Sequence, residues 1–216
     1  MTHKIVLLMT PLLLSLAPSY FLQNLGAAST NDAVRRELVK MGEENQKHRQ
    51  EVMDLMDRLA RSDDEKVAKK WKQAVGRQND LDGRNRQRLD EIVNQYGWPK
   101  RSVFGEEATG VAFSVVQHAE LDYQKKYLPL IKEAVAQKEA RGSDLAMLED
   151  RILTREGKNQ IYGTQVRLNQ KTELMELYPI ENEGNVDARR AAVGLEPLAL
   201  YLKKAFGIDY TPPKKN

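Results

Sequence analysis

Residues 30–61 decide the fold, and they read TNDAVRRELVKMGEENQKHRQEVMDLMDRLAR. The stretch contains no proline and a single glycine, Gly42. Its apolar side chains share the spacing of three and four residues that is typical of a packed helix face. They are Val34, Leu38, Met41, Val52, Leu55 and Leu59. Thr30 or Asn31 is suited to cap a helix, and acidic Asp32 follows where a helix N-terminus favours negative charge. We therefore predict one long amphipathic helix.

Helical patterns continue through most of the remaining chain. They predict helices from Ser62 or Asp63 to about Gln95, from Gly105 to Glu120, around Tyr127 to Val135 with Arg141-Gly142 as the end signal, from Asp144 to Gly157, and from Asn185 to Phe206 with a break at Gly194 and Pro197. Residues 160–168 and 173–180 are instead rich in Tyr, Thr, Val, Ile and Leu, with a polar turn between them. The predicted fold class is mainly α, a helical bundle-like single domain with one small β-hairpin near residues 160–180.

The composition limits the classes of function. A chain of 216 residues is long enough for one domain. Its 34 Lys and Arg residues nearly balance 31 Asp and Glu residues, so we expect no nucleic-acid partner. The absence of cysteine excludes disulfides, thiol nucleophiles and cysteine-ligated metals. Any catalysis must use carboxylate, amide, hydroxyl, arginine or histidine groups, and only three histidines are present, His3, His48 and His118.

The N-terminus has the layout of a signal peptide. Lys4 precedes an apolar run over residues 5–17, and small residues follow the run. The run is shorter than the roughly 20 residues that a membrane-spanning helix needs. We predict a signal peptide over residues 1–28, cleaved after about residue 19 or 28, and a periplasmic or secreted protein with no stable membrane span after its removal. An uncleaved anchor is the alternative. A single helical domain over 29–210 and a loose tail over 211–216 complete the predicted organisation.

Polar side chains interrupt three of the predicted apolar helix faces. The interruptions are Asn45 and His48; Gln78, Asp82 and Asn85; and His118 and Asp122. Burying a polar group without a partner costs roughly 1–3 kcal/mol, so such groups must bond to one another, to water or to a ligand. Helical bundles build ligand sites from side chains of this kind on facing helices. A structural network that fixes the register of the helices is the alternative.

Two of the polar positions suit acid–base chemistry. His118 and Asp122 are four residues apart, which on a helix allows the carboxylate to orient the imidazole. Glu44 and His48 share this spacing, but di-metal bundles use more carboxylates, so we predict no metal site. Further along the chain, Arg189 and Arg190 form a pair that is suited to clamp a carboxylate or phosphate.

Several sequence blocks carry a resemblance to a known family. They are Asp82-x-x-Asn85, Gln117-His118-Ala119, Asp150-Arg151, Gln160-Ile-Tyr162-Gly163-Thr164-Gln165 and Asp187-x-Arg189-Arg190. In these blocks the chain resembles a bacterial domain-of-unknown-function family, DUF6624, from about Glu43 to Tyr201. The resemblance implies a shared domain and no mechanism. It extends the set of candidate ligand-binding residues, which are Asn85, Gln117, Asp150, Arg151, Gln160, Tyr162, Gln165, Arg189 and Arg190.

These observations favour an exported helical domain with a polar pocket for a small polar or anionic ligand. His118 is the expected acid–base group for hydrolysis or isomerisation, with Asp122 or Asp82 as its orienting partner. Arg189 or Arg190 would then clamp the anion. The alternative is a non-catalytic envelope or partner-binding module whose polar cluster is structural. The sequence indicates no particular cofactor and no oligomeric state.

Overall fold

The computed structural model describes residues 17–211 and 213, with side chains from Thr30 onward. In chain order the elements are α1 (Ala17–Leu59), α2 (Glu65–Tyr96), α3 (Arg101–His118), α4 (Leu121–Ala136), α5 (Gly142–Arg155), β1 (Val166–Leu168), β2 (Met175–Leu177), a 3₁₀ turn (Glu183–Asn185), α6 (Val186–Ala192) and α7 (Leu198–Phe206). The predicted fold class, mainly α with one small β-hairpin, is confirmed. Residues 1–16 of the predicted signal peptide and most of the predicted tail lie outside the described residues.

The two longest helices form an antiparallel pair. Residues late in α1 face residues early in α2, as the ion pair between Glu51 and Arg77 at 2.7 Å shows. Earlier in α1, Glu37 accepts from Arg88 at 2.6 Å near the end of α2. This pairing brings the polar interruptions of the two helices to the same level, because both interruptions lie between these two ion pairs.

The observed ends of these helices differ from the predicted ones. Thr30 and Asn31 lie inside α1, which is already helical from Ala17. Asp64 caps α2, since its carboxylate accepts from the backbone N–H of Lys66 at 2.8 Å. Ser62, one of the two predicted caps, instead accepts from the backbone N–H of Asp64 at 3.2 Å. The turn before α2 contains three residues of types that cap helices, and the last of them, Asp64, forms the cap.

Helix α3 packs along α1 in the parallel direction. Gly105 of α3 lies near Arg35, and one to two turns further on Val111 lies against Gly42. A Cβ at Gly42 would lie 2.5 Å from Val111 Cγ2, which is closer than two carbon atoms can approach. The single glycine of the opening stretch therefore allows α1 and α3 to come together.

Helix α4 ends at Ala136, five residues before the predicted end signal at Arg141-Gly142, and Lys138 and Glu139 contact the start of α3. The carboxylate of Glu139 accepts from Ser102 Oγ at 2.7 Å and from its backbone N–H at 2.9 Å. The carbonyl of Glu139 also accepts from the backbone N–H of Arg101 at 3.1 Å. At its other end α4 is held to α2, where Asp90 accepts from the hydroxyls of Tyr123 and Tyr127.

Most of the described helices share one hydrophobic core. Its fully buried members include Leu38, Leu89, Ile92, Ala108, Ala112, Val116, Ile131 and Leu148. A second cluster lies under the hairpin and the last two helices, and comprises Ile180, Val186, Leu198 and Leu202. The ends of α1 and α2 that meet at their connecting turn form a third, smaller cluster around Leu55, Val67 and Ala74. Among the described residues, no helix combines the length and apolar character needed to cross a membrane.

The β-hairpin is shorter than the sequence pattern predicts. Strands β1 and β2 pair antiparallel over only three residues each, with Val166 opposite Leu177. In the preceding segment 160–165, Gln160 forms only an isolated bridge with Ile180. The next backbone N–H groups donate to side chains instead: those of Ile161, Tyr162 and Thr164 to Asp150 of α5, and that of Gln165 to Gln160. This loop is described with the site, because it supports one of the arginines there.

Candidate functional site

The polar interruptions of α1 and α2 meet at the carboxylate of Asp82. Asn45 Nδ2 and Gln78 Nε2 donate to Asp82 Oδ1, at 3.2 and 2.9 Å. Arg49 Nη2 donates to both carboxylate oxygens of Asp82, at 3.0 and 3.1 Å. We call these four residues the Asp82 network. It joins the two long helices by hydrogen bonds where polar residues interrupt the apolar faces of both.

Two arginines of α5 bind the C-terminal end of α3. Arg151 Nη1 donates to the carbonyl of Gln117 at 3.0 Å, and Arg155 Nη1 donates to the carbonyl of Ala119 at 2.7 Å. The last carbonyls of a helix have no partner within the helix and carry partial negative charge, so cations are favoured there. Arg151 is held further by Gln165, whose Oε1 accepts from its Nε at 3.1 Å.

Neither of these arginines has a carboxylate partner in the described part of the chain. The hydrogen bonds of Arg151 and Arg155 go to two carbonyls and one amide, all of them neutral. The two residues are also one turn apart on α5, where like charges repel. Burial, and then the charges of Arg155 and Arg49, lower the pKa of Arg151. Arg155 is exposed and Arg151 is half-buried, so both side chains are open to solvent.

His118 lies at the end of α3, among three arginines. Although its side chain is exposed, enough protein surrounds the ring to lower its pKa from 6.5 to about 4. The positive charges of Arg49, Arg151 and Arg155 act in the same direction, and the negative charge of Asp82 opposes them. The imidazole is therefore neutral at pH 7. It forms no hydrogen bond within the described residues, so both ring nitrogens are free to meet a ligand. We call His118, Arg49, Arg151 and Arg155 the arginine cluster.

The predicted pairing of His118 with Asp122 is absent. Helix α3 ends at His118 and α4 begins at Leu121, so the spacing of four residues no longer places the two side chains on one helix face. Asp122 is exposed, and its charge acts on Lys125 instead. The carboxylate that does act on the imidazole is Asp82, through its charge and without a direct hydrogen bond.

Buried amide groups beside the site lack partners within the described residues. The atoms are Gln78 Oε1, Asn85 Nδ2, Gln117 Oε1 and Gln124 Oε1, and each residue is at least nine-tenths buried. The orientation of Gln124 is fixed, because its Nε2 donates to the carbonyl of Gln117 at 2.9 Å. Buried polar atoms in proteins are nearly always hydrogen-bonded, so we expect partners from beyond the described residues, such as water or a polar ligand.

Asp150, a predicted ligand-binding residue, supports the loop after α5. Its carboxylate accepts from the backbone N–H groups of Ile161, Tyr162 and Thr164, at 2.6, 3.0 and 2.9 Å. The hydroxyl of Thr164 also donates to it at 2.9 Å. Asp150 is completely buried, so a ligand has no access to its oxygens.

Gln160, Tyr162 and Gly163 complete this loop. Buried Gln160 donates to the carbonyls of Gln165 and Tyr178, at 3.0 and 2.9 Å, and accepts from the backbone N–H of Gln165. Gly163 has a φ of 72°, and a Cβ there would lie 2.8 Å from side-chain atoms of the second cluster. Burial and the charge of Glu149 raise the pKa of Tyr162. The loop positions Gln165, which in turn orients Arg151.

The arginine pair near the C-terminus binds main-chain carbonyls. Arg189 donates to the carbonyls of Ile161, Asn182 and Glu181, at 2.9, 3.1 and 2.6 Å. Arg190 is completely buried and donates to the carbonyls of Glu196 and Tyr162, at 2.6 and 2.7 Å. These contacts make the pair a connection between α6 and the loop, with Arg190 buried and Arg189 half-buried.

A cleft of about 560 Å³ runs along the line where α1 and α3 meet. Its lining includes Arg49, which is paired with Asp82, and Ser114, which lies one turn before His118 on α3. Three exposed carboxylates, Glu43, Glu106 and Glu107, also line the cleft. Its apolar lining consists of Val39, Met41, Met53, Val111 and Val115. In the part of the chain that the structure describes, no group of three or more His, Asp or Glu side chains is arranged to hold a metal ion.

The fold and the site define a mainly α protein with an arginine cluster around a neutral histidine. The chain belongs to the family described as a family of unknown function (DUF6624), which its sequence matches over residues 31–210. The predicted resemblance is therefore confirmed, over a slightly longer stretch. No curated protein and no solved structure matches the chain.

Sequence reasoning missed Arg155 and did not give Arg49 a role. The spacing of Arg151 and Arg155 was a usable signal. Two arginines four residues apart on one helix face repel each other, so such a pair indicates that both side chains bind something. Of the predicted ligand-binding residues, the structure places Gln117, Arg151 and Gln165 at the cluster. The arrangement can bind negative charge and accept a proton at the same place.

Proposed function

We propose that the protein binds a small anionic ligand at the arginine cluster and that His118 exchanges a proton with it. The observation that carries this proposal is the pair of α5 arginines, whose charges meet only neutral acceptors within the described residues. A cation near the surface without a carboxylate partner attracts anions, and the arginine fork suits carboxylate or phosphate oxygens. Asp82 forms an ion pair with Arg49. The charges of Arg151 and Arg155 are not neutralised by it, so the cluster keeps a net positive charge.

The protonation of His118 is coupled to anion binding in this proposal. The positive charges of the cluster disfavour the imidazolium form, and a bound anion offsets part of that effect. Binding therefore raises the pKa of His118 from about 4, and the neutral imidazole becomes a better proton acceptor when the ligand is in place. A hydrolysis would use this base to activate water, and an isomerisation would use it to remove a proton from the ligand.

The alternative is a non-catalytic module in which the same arginines are structural. It is favoured by one observation, namely that Arg151 and Arg155 already bond to the carbonyls of Gln117 and Ala119 at the end of α3. In this case their role is to fix α3 against α5. The two functions differ in whether an added anion binds at His118.

Titration with sulfate at low, constant ionic strength distinguishes the two functions, with backbone amide NMR signals as the readout. We expect saturable shifts at residues 117–119 and at Arg155. Arg155→Gln removes one charged hydrogen-bond donor and should weaken binding by about tenfold or more, whereas Arg155→Lys should keep part of the affinity. Arg61→Gln is the matched control, because it removes an equal charge at the exposed turn between α1 and α2. Unchanged affinity in Arg155→Gln, with only a lower melting temperature, would support the structural alternative.

We also propose that the chain is exported, with a signal peptide in residues 1–28. The basic start and the short apolar run support this location, which is periplasmic or secreted. Sequencing the N-terminus of protein recovered from a periplasmic extract tests the proposal. A start near residue 20 or 29 is expected, and a start at Met1 would contradict cleavage.

A further inference from the structure

Arg151 is held by a chain of hydrogen bonds that begins at a buried carboxylate. Thr164 Oγ1 donates to Asp150 Oδ2 at 2.9 Å, and Gln165 Nε2 donates to Thr164 Oγ1 at 3.0 Å. Gln165 Oε1 then accepts from Arg151 Nε at 3.1 Å. The chain of bonds therefore links two consecutive residues of α5, Asp150 and Arg151, through side chains of the loop at residues 160–165.

The carboxylate fixes the direction of each bond in this chain. An ionised carboxylate only accepts hydrogen bonds, so the single hydroxyl proton of Thr164 is committed to Asp150. The hydroxyl oxygen of Thr164 is then left as an acceptor, and the group that donates to it must be the NH₂ end of the Gln165 side chain. The carbonyl end of Gln165 is consequently turned toward Arg151.

The main chain of the loop is held in place as well. The N–H of Gln165 donates to Gln160 Oε1 at 2.9 Å, and its carbonyl accepts from Gln160 Nε2 at 3.0 Å. Thr164 is buried, and its carbonyl accepts from the hydroxyl of Tyr201 at 3.1 Å. Gln165 is therefore fixed at its backbone and at both ends of its amide group.

Arg151 keeps its positive charge in this arrangement. Its Nε binds the neutral amide of Gln165, its Nη1 binds the carbonyl of Gln117 at 3.0 Å, and its Nη2 has no partner within the described residues. A glutamate in place of Gln165 would offer the same acceptor to Nε and hold Arg151 more strongly, because opposite charges attract. It would also neutralise the guanidinium, whereas the amide leaves the charge for a ligand.

We propose that Gln165 is a positioning residue for anion binding, because it orients the guanidinium of Arg151 while leaving its charge and its Nη2 donor for the ligand. Thr164 sets the orientation of the Gln165 amide. This inference rests on the proposed function, since Arg151 belongs to the arginine cluster. It adds the requirement that the residue beside Arg151 is neutral and turned with its oxygen toward Nε.

Two substitutions of Gln165 separate charge from orientation, with sulfate affinity of the full chain measured by NMR titration. Gln165→Glu keeps the acceptor for Arg151 but cancels its charge, and should weaken sulfate binding by about tenfold or more. Gln165→Met keeps the charge but offers no strong hydrogen bond, and should weaken binding by about threefold, as for one lost hydrogen bond. Gln170→Glu adds the same charge at the exposed turn of the hairpin, and as the matched control it should bind sulfate like the unmodified protein.

Substitutions of Thr164 test the middle of the chain of bonds. Thr164→Val keeps the shape of the side chain without the hydroxyl, so the orientation of the Gln165 amide is no longer set, and sulfate binding should weaken by about threefold. Thr164→Ser retains the hydroxyl and should retain the affinity. Equal weakening in Thr164→Ser and Thr164→Val would show that the hydroxyl has no such role.

The pKa of His118 without sulfate gives a second readout, which a loss of folding stability alone does not move. Gln165→Glu should raise it from about 4, because the charge of Arg151 that lowers it is cancelled, whereas Gln165→Met should leave it near that value.

The unmodified protein separates failure of this inference from failure of the proposed function. If it binds sulfate and Gln165→Glu binds sulfate equally well, the role of Gln165 is wrong and the anion site stands. If the unmodified protein does not bind sulfate at the arginine cluster, both proposals are wrong.

Discussion

Arg49 holds the carboxylate of Asp82 through two hydrogen bonds, at 3.0 and 3.1 Å, and the two charges act on His118 with opposite sign. Arg49 disfavours the imidazolium form, and Asp82 favours it. The pair thus connects the interior network of α1 and α2 to the exposed histidine of α3. Its effect on His118 can be measured by removing one partner at a time.

Asp82→Asn is expected to lower the pKa of His118 below its value of about 4. The negative charge that favours the imidazolium form is lost, while the cation of Arg49 remains. The same change weakens the bond to Arg49, and we expect the free energy of unfolding to fall by about 1–3 kcal/mol. Imidazole NMR titration and urea unfolding measure the two effects, with Asp57→Asn as the exposed control. A raised pKa of His118 in Asp82→Asn would contradict the assignment.

The stability of the protein should fall as the pH falls from about 6.5 to about 4, in part because of His118. Over this range the unfolded chain takes up a proton at His118, while the folded chain does not until the pH reaches the lower value. The unfolded state thus binds more protons, and acidification favours it. Urea unfolding of the unmodified protein and of His118→Gln across this range isolates the contribution, since the other groups titrate in both. Parallel curves for the two proteins would show that the pKa of His118 is not lowered.

Gly42→Ala is expected to destabilise the fold by about 1–3 kcal/mol. Its Cβ would lie 2.5 Å from Val111 Cγ2, and the β-branched valine cannot easily rotate away on a helix. Val111→Ala in the same chain should restore part of the loss. Gly76→Ala is the control, because it is also helical but has no atom within 4 Å of the new Cβ; it should stabilise the protein by about 0.5–1 kcal/mol. Thermal unfolding compares them, and equal effects of the two substitutions would contradict the close contact of α1 and α3.

Asp150→Asn is expected to cost about 1–3 kcal/mol, because four donors from Ile161, Tyr162 and Thr164 then meet a neutral amide that cannot accept from all of them. Asp80→Asn at an exposed position of α2 is the control and should change the stability by no more than about 0.5 kcal/mol. Hydrogen exchange of the amides at 161, 162 and 164 should accelerate in Asp150→Asn only. Unchanged exchange there would show that the loop does not depend on this carboxylate.

The helices could be predicted because their signals are local. The spacing of Val34, Leu38 and Met41 indicates a helix independently of the rest of the chain. Gly42 indicates a close approach between two helices only once the neighbouring helix, α3, is known. The sequence predicted Ser62 or Asp63 as the cap of α2 and missed Asp64, since serine and aspartate are both good caps and all three residues are adjacent. The short β-hairpin was predicted too long, because the competition from Asp150 for the backbone N–H groups of the loop depends on tertiary contacts.

The site was predictable only in part, for the same reason. The meeting of Asn45, Gln78 and Asp82 follows from periodicity once two helices pack antiparallel. The pairing of His118 with Asp122 assumed one continuous helix, and the break after His118 removes it. The surroundings of Arg151 and Arg189 could not be predicted from the sequence, because the carbonyls that each arginine meets are brought to it by the fold.

The most direct test of the anion site is the pKa of His118 with and without sulfate, measured from its imidazole NMR signals in the unmodified protein and in Arg155→Gln. Sulfate keeps its charge across the titration range, so any shift belongs to the protein. Anion binding at the arginine cluster predicts that sulfate raises the pKa of His118 from about 4, and that the rise is much smaller in Arg155→Gln. A pKa of His118 that sulfate leaves unchanged in the unmodified protein would contradict it.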